Sequence, residues 1–138
     1  MPIFYADASA LVKAILDEPE AGALHNFFQQ GDLVSCELVL TEVPRALQRA
    51  TSEDERLSLS SLLQQARELI DAIGLQPLDT GLLTGAGALA EPSLRSLDAI
   101  HVAAAVTLYP IDAFITYDKR QAAAARLVGL PTVAPKAD

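Results

Sequence analysis

Cysteine is nearly missing from this chain, and the one present, Cys36, excludes an intrachain disulfide and any multi-cysteine zinc site. The opening MPIFYAD carries no basic segment ahead of its short apolar run. Nowhere do about 18 apolar residues follow one another without a charge or a breaker. Neither a signal peptide nor a membrane span is expected, and a cytoplasmic location follows by exclusion. Cations are scarce as well: Lys and Arg total 10 against 18 Asp and Glu, a formal charge of -8. That balance argues against a coat protein that binds nucleic acid through many phosphate contacts. It leaves room for an enzyme that meets a polyanion through a divalent metal and a local basic patch. Internal repeats and low-complexity tracts are absent too.

What is there is apolar: 51% of 138 residues, enough for one substantial core, so residues 1–138 read as a single domain with a flexible tail from about 135. IFYA has no polar alternation, as expected of a parallel strand buried on both faces. SALVKAIL reads as a helix, and Pro19 is placed to open the next one, which runs to Gly31. LVSC is a second strand. ELVLTEVPRALQRA follows as a helix in which Pro44 predicts a break or kink around residues 41–44. Residues 53–72 carry apolar side chains at helical spacing. GLQPLD reads as a strand, TGLLTGAGALAE as a helix, and SLDAIHVAAAVTLY as a further helix capped by Ser93 or Ser96. DAFITYD repeats the opening pattern of apolar strand and aspartate. KRQAAAARLVG and PTVA close the chain as helix and strand. Strands alternating with helices predict a central, mainly parallel sheet covered on both faces, a three-layer α/β/α sandwich.

Ligands of such folds gather beyond the carboxyl ends of the strands. Asp7 and Asp118 each follow a predicted strand and would share that edge, although either alone is an ordinary turn or cap residue. Asp98 stands near the positive end of its helix, where an anion is stabilised in any case. Glu42 sits among Leu38, Val39, Leu40 and Val43 and has no such excuse beyond solvent exposure. Four carboxylates drawn together would repel and raise one another's pKa values. A hard divalent cation resolves that conflict and supports attack of water on a phosphodiester.

YADASALVK, SCELVLTEVPRAL, LRSLDAIHVAAA and FITYDKRQAAAARLVGLPTV occur in that order across nearly the whole chain. In these segments the chain resembles the PIN-domain ribonucleases, and within them the VapC toxins of VapBC toxin-antitoxin pairs. The resemblance implies a magnesium-dependent endoribonuclease, with manganese as substitute. Asp7, Glu42, Asp98 and Asp118 would form its acidic site, Asp7 and Asp98 as the direct ligands. It further implies that Ser9 and Thr116 support the carboxylates from behind. Ala8 departs from the family's usual serine or threonine, and Pro44 is unusual beside the Glu42 position.

Lys13, Arg45, Arg95, Lys119 and Arg120 are candidates for RNA contact, with surface solubility as the plain alternative. His101 and His25 read as packing and hydrogen-bonding residues. A cognate VapB-type antitoxin is the implied partner, binding DNA on the toxin's behalf, with a homodimer and a heterotetramer or larger complex as expected assemblies. Leu11, Ile15, Leu24, Phe27 and Phe28 would line the antitoxin groove, a dimer contact or simply the core. The competing readings are a PIN-type nuclease of RNA processing or of DNA, and a catalytically idle module that only binds a peptide.

Overall fold

The structure, a computed structural model, describes residues 1–136. Five strands form one sheet: β1 (Ile3–Ala6), β2 (Asp32–Cys36), β3 (Gly74–Gln76), β4 (Ala113–Ile115) and β5 (Thr132–Val133). Their order is β3-β2-β1-β4-β5 and every neighbouring pair is parallel. Seven helices surround it: α1 (Ala8–Ile15), α2 (Ala21–Phe28), α3 (Val39–Glu53), α4 (Leu59–Asp71), α5 (Thr80–Gly87), α6 (Ser96–Thr107) and α7 (Lys119–Leu127).

The central strands explain the missing polar alternation. Successive residues of a strand point to opposite faces, and both faces here are covered. Phe4 and Ala6 of β1, with Ala113 and Ile115 of β4, pack against α1 to α4 through Leu11, Leu24, Val43, Leu47, Leu62 and Ile70. Tyr5 and Phe114 point the other way, stack at 5.3 Å, and meet Val102 and Ala105 of α6 and Ala125 of α7. Each fully buried side chain of this size contributes about 1.5–3 kcal/mol. Leu11, Ile15 and Leu24 are therefore core residues. Phe27 and Phe28 are partly buried against that core, Phe27 lying 4.5 Å from Phe4.

Several local expectations need correction. α3 runs unbroken through Pro44. The carbonyl that loses its donor belongs to exposed Leu40, where the missing bond costs least. α3 also reaches Glu53, and the next helix begins only at Leu59, because Asp54 accepts from the backbone and guanidinium of Arg56 and holds a turn there. Ser58 then caps α4 by accepting from the Ser61 N–H. Pro19 lies in the turn before α2 rather than in its first turn. β3 stops at Gln76 and α5 at Gly87. Neither predicted serine caps α6: Ser96 is its first residue, and the Ser93 hydroxyl donates to Glu91. Gly31 closes the α2–β2 turn so tightly that a Cβ would lie 2.5 Å from the Pro2 carbonyl oxygen. Of the tail expected from residue 135, Pro135 accepts from the Tyr117 hydroxyl; residues 137 and 138 lie outside the described residues.

Candidate functional site

From β1 in the middle of the sheet, the chain moves outward through β2 and β3, then returns to β4 on the other side. Connections diverge at the carboxyl ends of β1 and β4, leaving a crevice between them. Asp7 directly follows β1, Asp118 opens α7 beyond β4, and Glu42 and Asp98 stand in the first turns of α3 and α6. Helices of a parallel sheet start at this edge, so four segments far apart in sequence deliver an acid to one rim.

Asp7 is the most enclosed of the four, 4% exposed. Its Oδ1 caps α1 by accepting from Ala10 N–H at 2.9 Å, and the Ser9 hydroxyl lies 2.9 and 3.0 Å from its two oxygens. Burial pushes the Asp7 pKa upward, the nearby charge of Asp98 adds to that, and His101, Ala10 and Ser9 oppose it. Asp98 is also raised, first by burial and then by Asp118, with Glu42 a further contributor. Asp98 is therefore the acid whose charge is felt at Asp7 and which itself feels Asp118 and Glu42.

Glu42 leans on a residue that the sequence had placed in the packing. His101 is 1% exposed, and its Nε2 lies 2.7 Å from Glu42 Oε1. A carboxylate only accepts, so Nε2 carries the proton. The other ring nitrogen, Nδ1, meets the Tyr5 hydroxyl at 2.8 Å and Cys36 Sγ at 3.6 Å. Burial works against a charge on this ring, but hydrogen bonds with Cys36 and Glu42 outweigh it and lift the pKa to about 10.

Asp118 accepts from the N–H groups of Arg120 and Gln121 and so caps α7. Gln121, fully buried, was missed by sequence reasoning, although its place three residues after the capping acid is a recognisable helix-start spacing. Its Oε1 accepts from the Thr116 hydroxyl at 2.7 Å, and its Nε2 donates to the Asp98 carbonyl at 3.4 Å. Thr116 has one proton to give. The 2.7 Å contact takes it, leaving the 3.4 Å approach to Asp7 weak. Thr116 accordingly reaches the acids mainly by accepting the Asp118 N–H and by holding Gln121.

Two hollows flank the rim. One is lined by Asp98 and Asp118 together with Arg95, Lys119 and Arg120. The other is lined by Ser9 and Glu42 with Lys13 and Arg49. Lys13 is tied down, 3.6 Å from both Glu18 and Glu20 and 5.1 Å above the Tyr117 ring. Arg45 is exposed on α3, one turn beyond Glu42, with no ion pair among the described residues.

The donor set is all carboxylate oxygen, and the upward shifts of Asp7 and Asp98, led by burial with like charge adding, persist although His101 opposes both and Arg95 opposes that of Asp98. Both properties fit a hard divalent cation with waters in its shell. Among the described residues no three or more His, Cys, Asp or Glu side chains are grouped so as to hold a metal ion by themselves. An ion that keeps several waters is held by one or two carboxylates.

Comparison with known proteins bears on the family and the fold. Residues 4–127 match the PIN domain family. Ribonuclease VapC47 of Mycobacterium tuberculosis strain CDC 1551 is 33% identical over 98% of both chains. Ribonuclease VapC46 of strain H37Rv is 35% identical over 98% of this chain and 99% of its own. In three dimensions, a chain from the crystal structure of VapBC2 from Rickettsia felis, bound to a DNA fragment from its promoter, superposes with a TM-score of 0.70. It covers 97% of this chain and 99% of its own at 12% identity, a likeness of fold. With the family pattern spanning nearly all of the sheet and its helices, the chain belongs to the PIN-domain family and groups there with the VapC ribonucleases.

Proposed function

We propose that this protein is a metal-dependent endoribonuclease, the toxin of a VapB–VapC pair. The observation that carries the reading is the placement of four acids after β1 and at the starts of α3, α6 and α7, on the rim at the sheet's switch point, where burial first and then the charge of neighbouring acids raise the pKa of Asp7 and Asp98. Asp7 and Asp98 would hold magnesium or manganese directly, and Glu42 and Asp118 directly or through water. When bound, the ion supplies an activated water and offsets charge on the phosphate. The chain's own residues do the rest. Ser9 fixes the Asp7 carboxylate, and Gln121 links the Asp98 and Asp118 helices. Arg95, Lys119 and Arg120 offer the phosphate contacts that an otherwise anionic protein needs.

The chain acts as one domain in the cytoplasm, as a homodimer, and is restrained by a VapB-type antitoxin that carries the DNA-binding role. Two relatives named as VapC ribonucleases, matched end to end, and a fold shared with a VapBC complex support this assignment. Cleavage of single-stranded RNA should stop in chelator, return with Mg2+ or Mn2+, and be lost in Asp98→Asn while circular dichroism is unchanged. Equal cleavage by the variant and the wild type would overturn the reading.

A further inference from the structure

We infer that His101 is a positioning residue for the acidic rim: through Nε2–H it holds Glu42 Oε1, leaving Oε2 as the one oxygen that Glu42 turns to a cation. The inference rests on the metal-site reading above and goes beyond it, because it fixes how one acid participates. Three observations carry it.

His101 and Glu42 meet at 2.7 Å, short for N–H···O, which marks a charge-assisted bond. The ring is 1% exposed, whereas the Glu42 side chain is 21% exposed, so the bond runs from the core out to the rim. The ring is itself fixed from behind, since the Tyr5 hydroxyl at 2.8 Å and Cys36 Sγ at 3.6 Å occupy Nδ1. Tyr5 also packs edge-on against the ring, 5.8 Å between centroids. A chain of contacts thus passes from β1 and β2 through α6 to the first turn of α3.

The consequence is rotational. A glutamate has three side-chain torsions, and a free one samples many placements. Holding one oxygen removes most of that freedom and sets the direction of the other. Oε1 already spends a lone pair on His101 while Oε2 keeps both of its own, so the geometry assigns Glu42 single-oxygen ligation through Oε2. Partners that orient ligating carboxylates are typically worth about 10- to 100-fold in metal affinity.

The test uses Mn2+ titration calorimetry on the full chain, with circular dichroism and thermal melts as fold controls. His101→Leu should weaken Mn2+ binding by about 10- to 100-fold. His101→Gln, whose amide places a donor near the position of Nε2, should stay within about threefold of wild type, because the donor and not the ring does the work. Should His101→Leu fail to fold, Tyr5→Phe carries the same argument: it removes the bond to Nδ1 without touching any acid, and should weaken Mn2+ several-fold. A metal-free readout stands beside these. In wild type the His101 Nε2–H proton should give an NMR resonance protected from exchange, and Glu42→Ala should abolish it. The inference is overturned if folded His101→Leu binds Mn2+ as wild type does, if His101→Gln behaves like His101→Leu, or if the protected proton survives Glu42→Ala. Failure of the metal-site reading looks different: the wild type binds no Mn2+, while the protected proton still reports the His101–Glu42 bond.

Discussion

The two hollows beside the acidic rim carry similar charges in sequence, but the lysine of each is held differently in space. On the α1–α3 side, the Lys13 ammonium sits between Glu18 and Glu20 and over the Tyr117 ring, and Tyr117 in turn donates to the Pro135 carbonyl. On the α6–α7 side, Arg95, Lys119 and Arg120 line a hollow with Asp98 and Asp118, and no ion pair within 4.0 Å engages them among the described residues. A cation whose charge is already answered has little left for a phosphate. The difference teaches that proximity to an acidic site does not make a basic residue a substrate contact; its unspent charge does. Lys13, named by sequence among the RNA candidates, joins α1 to the α1–α2 turn and lies over Tyr117 just beyond β4.

The largest effect that would sharpen this contrast is expected from the open side. Replacing Arg95 and Arg120 together by Ala should raise KM for RNA about tenfold with kcat little changed. It should also lower the slope of log affinity against log salt by about 1.4, two phosphate contacts at roughly 0.7 each for single strands. Lys13→Met comes next. It should leave KM and the salt slope in place while lowering unfolding free energy by about 1 kcal/mol in a urea titration, the range of a partly exposed ion pair with an aromatic contact. A rise in KM matching that of the double variant would erase the distinction between the two sides. The smallest change is Tyr117→Phe, which keeps the ring under Lys13 and removes only the bond to Pro135. Unfolding free energy should drop by about 0.5 kcal/mol, the low end for one hydrogen bond, with cleavage unaltered.

How far sequence reasoning reached follows from the range of the interactions. IFYA and DAFITYD announced buried central strands because covering both faces removes every reason for polar alternation, and the sheet shows that pairing. The start of α4 was set too early because Glu53, Glu55 and Arg56 are good helix formers. The competing turn depends on Asp54 answering Arg56 two residues on, and the true signal was the Ser58 cap. At the site, each acid was visible at a strand end or helix start, yet spacing alone could not say that the four share a rim. The role of His101 was hidden for the same reason, since its partner Glu42 lies 59 residues upstream. Thr116 showed a subtler limit. Its position was legible, but which neighbour takes its single proton is decided by a 2.7 Å contact with Gln121.

The strand order has a last consequence, for how such a chain is made. β1 emerges first, yet it lies at the centre of the sheet, and its neighbour β4 is built from Ala113–Ile115 near the other end of the chain. Domains consolidate as units once their parts are available. Until translation has passed Asp118, the ribosome holds a polypeptide with three of its acids and no completed crevice. The crevice thus draws on segments from both ends of the chain and takes shape only after β4 and α7 have been made.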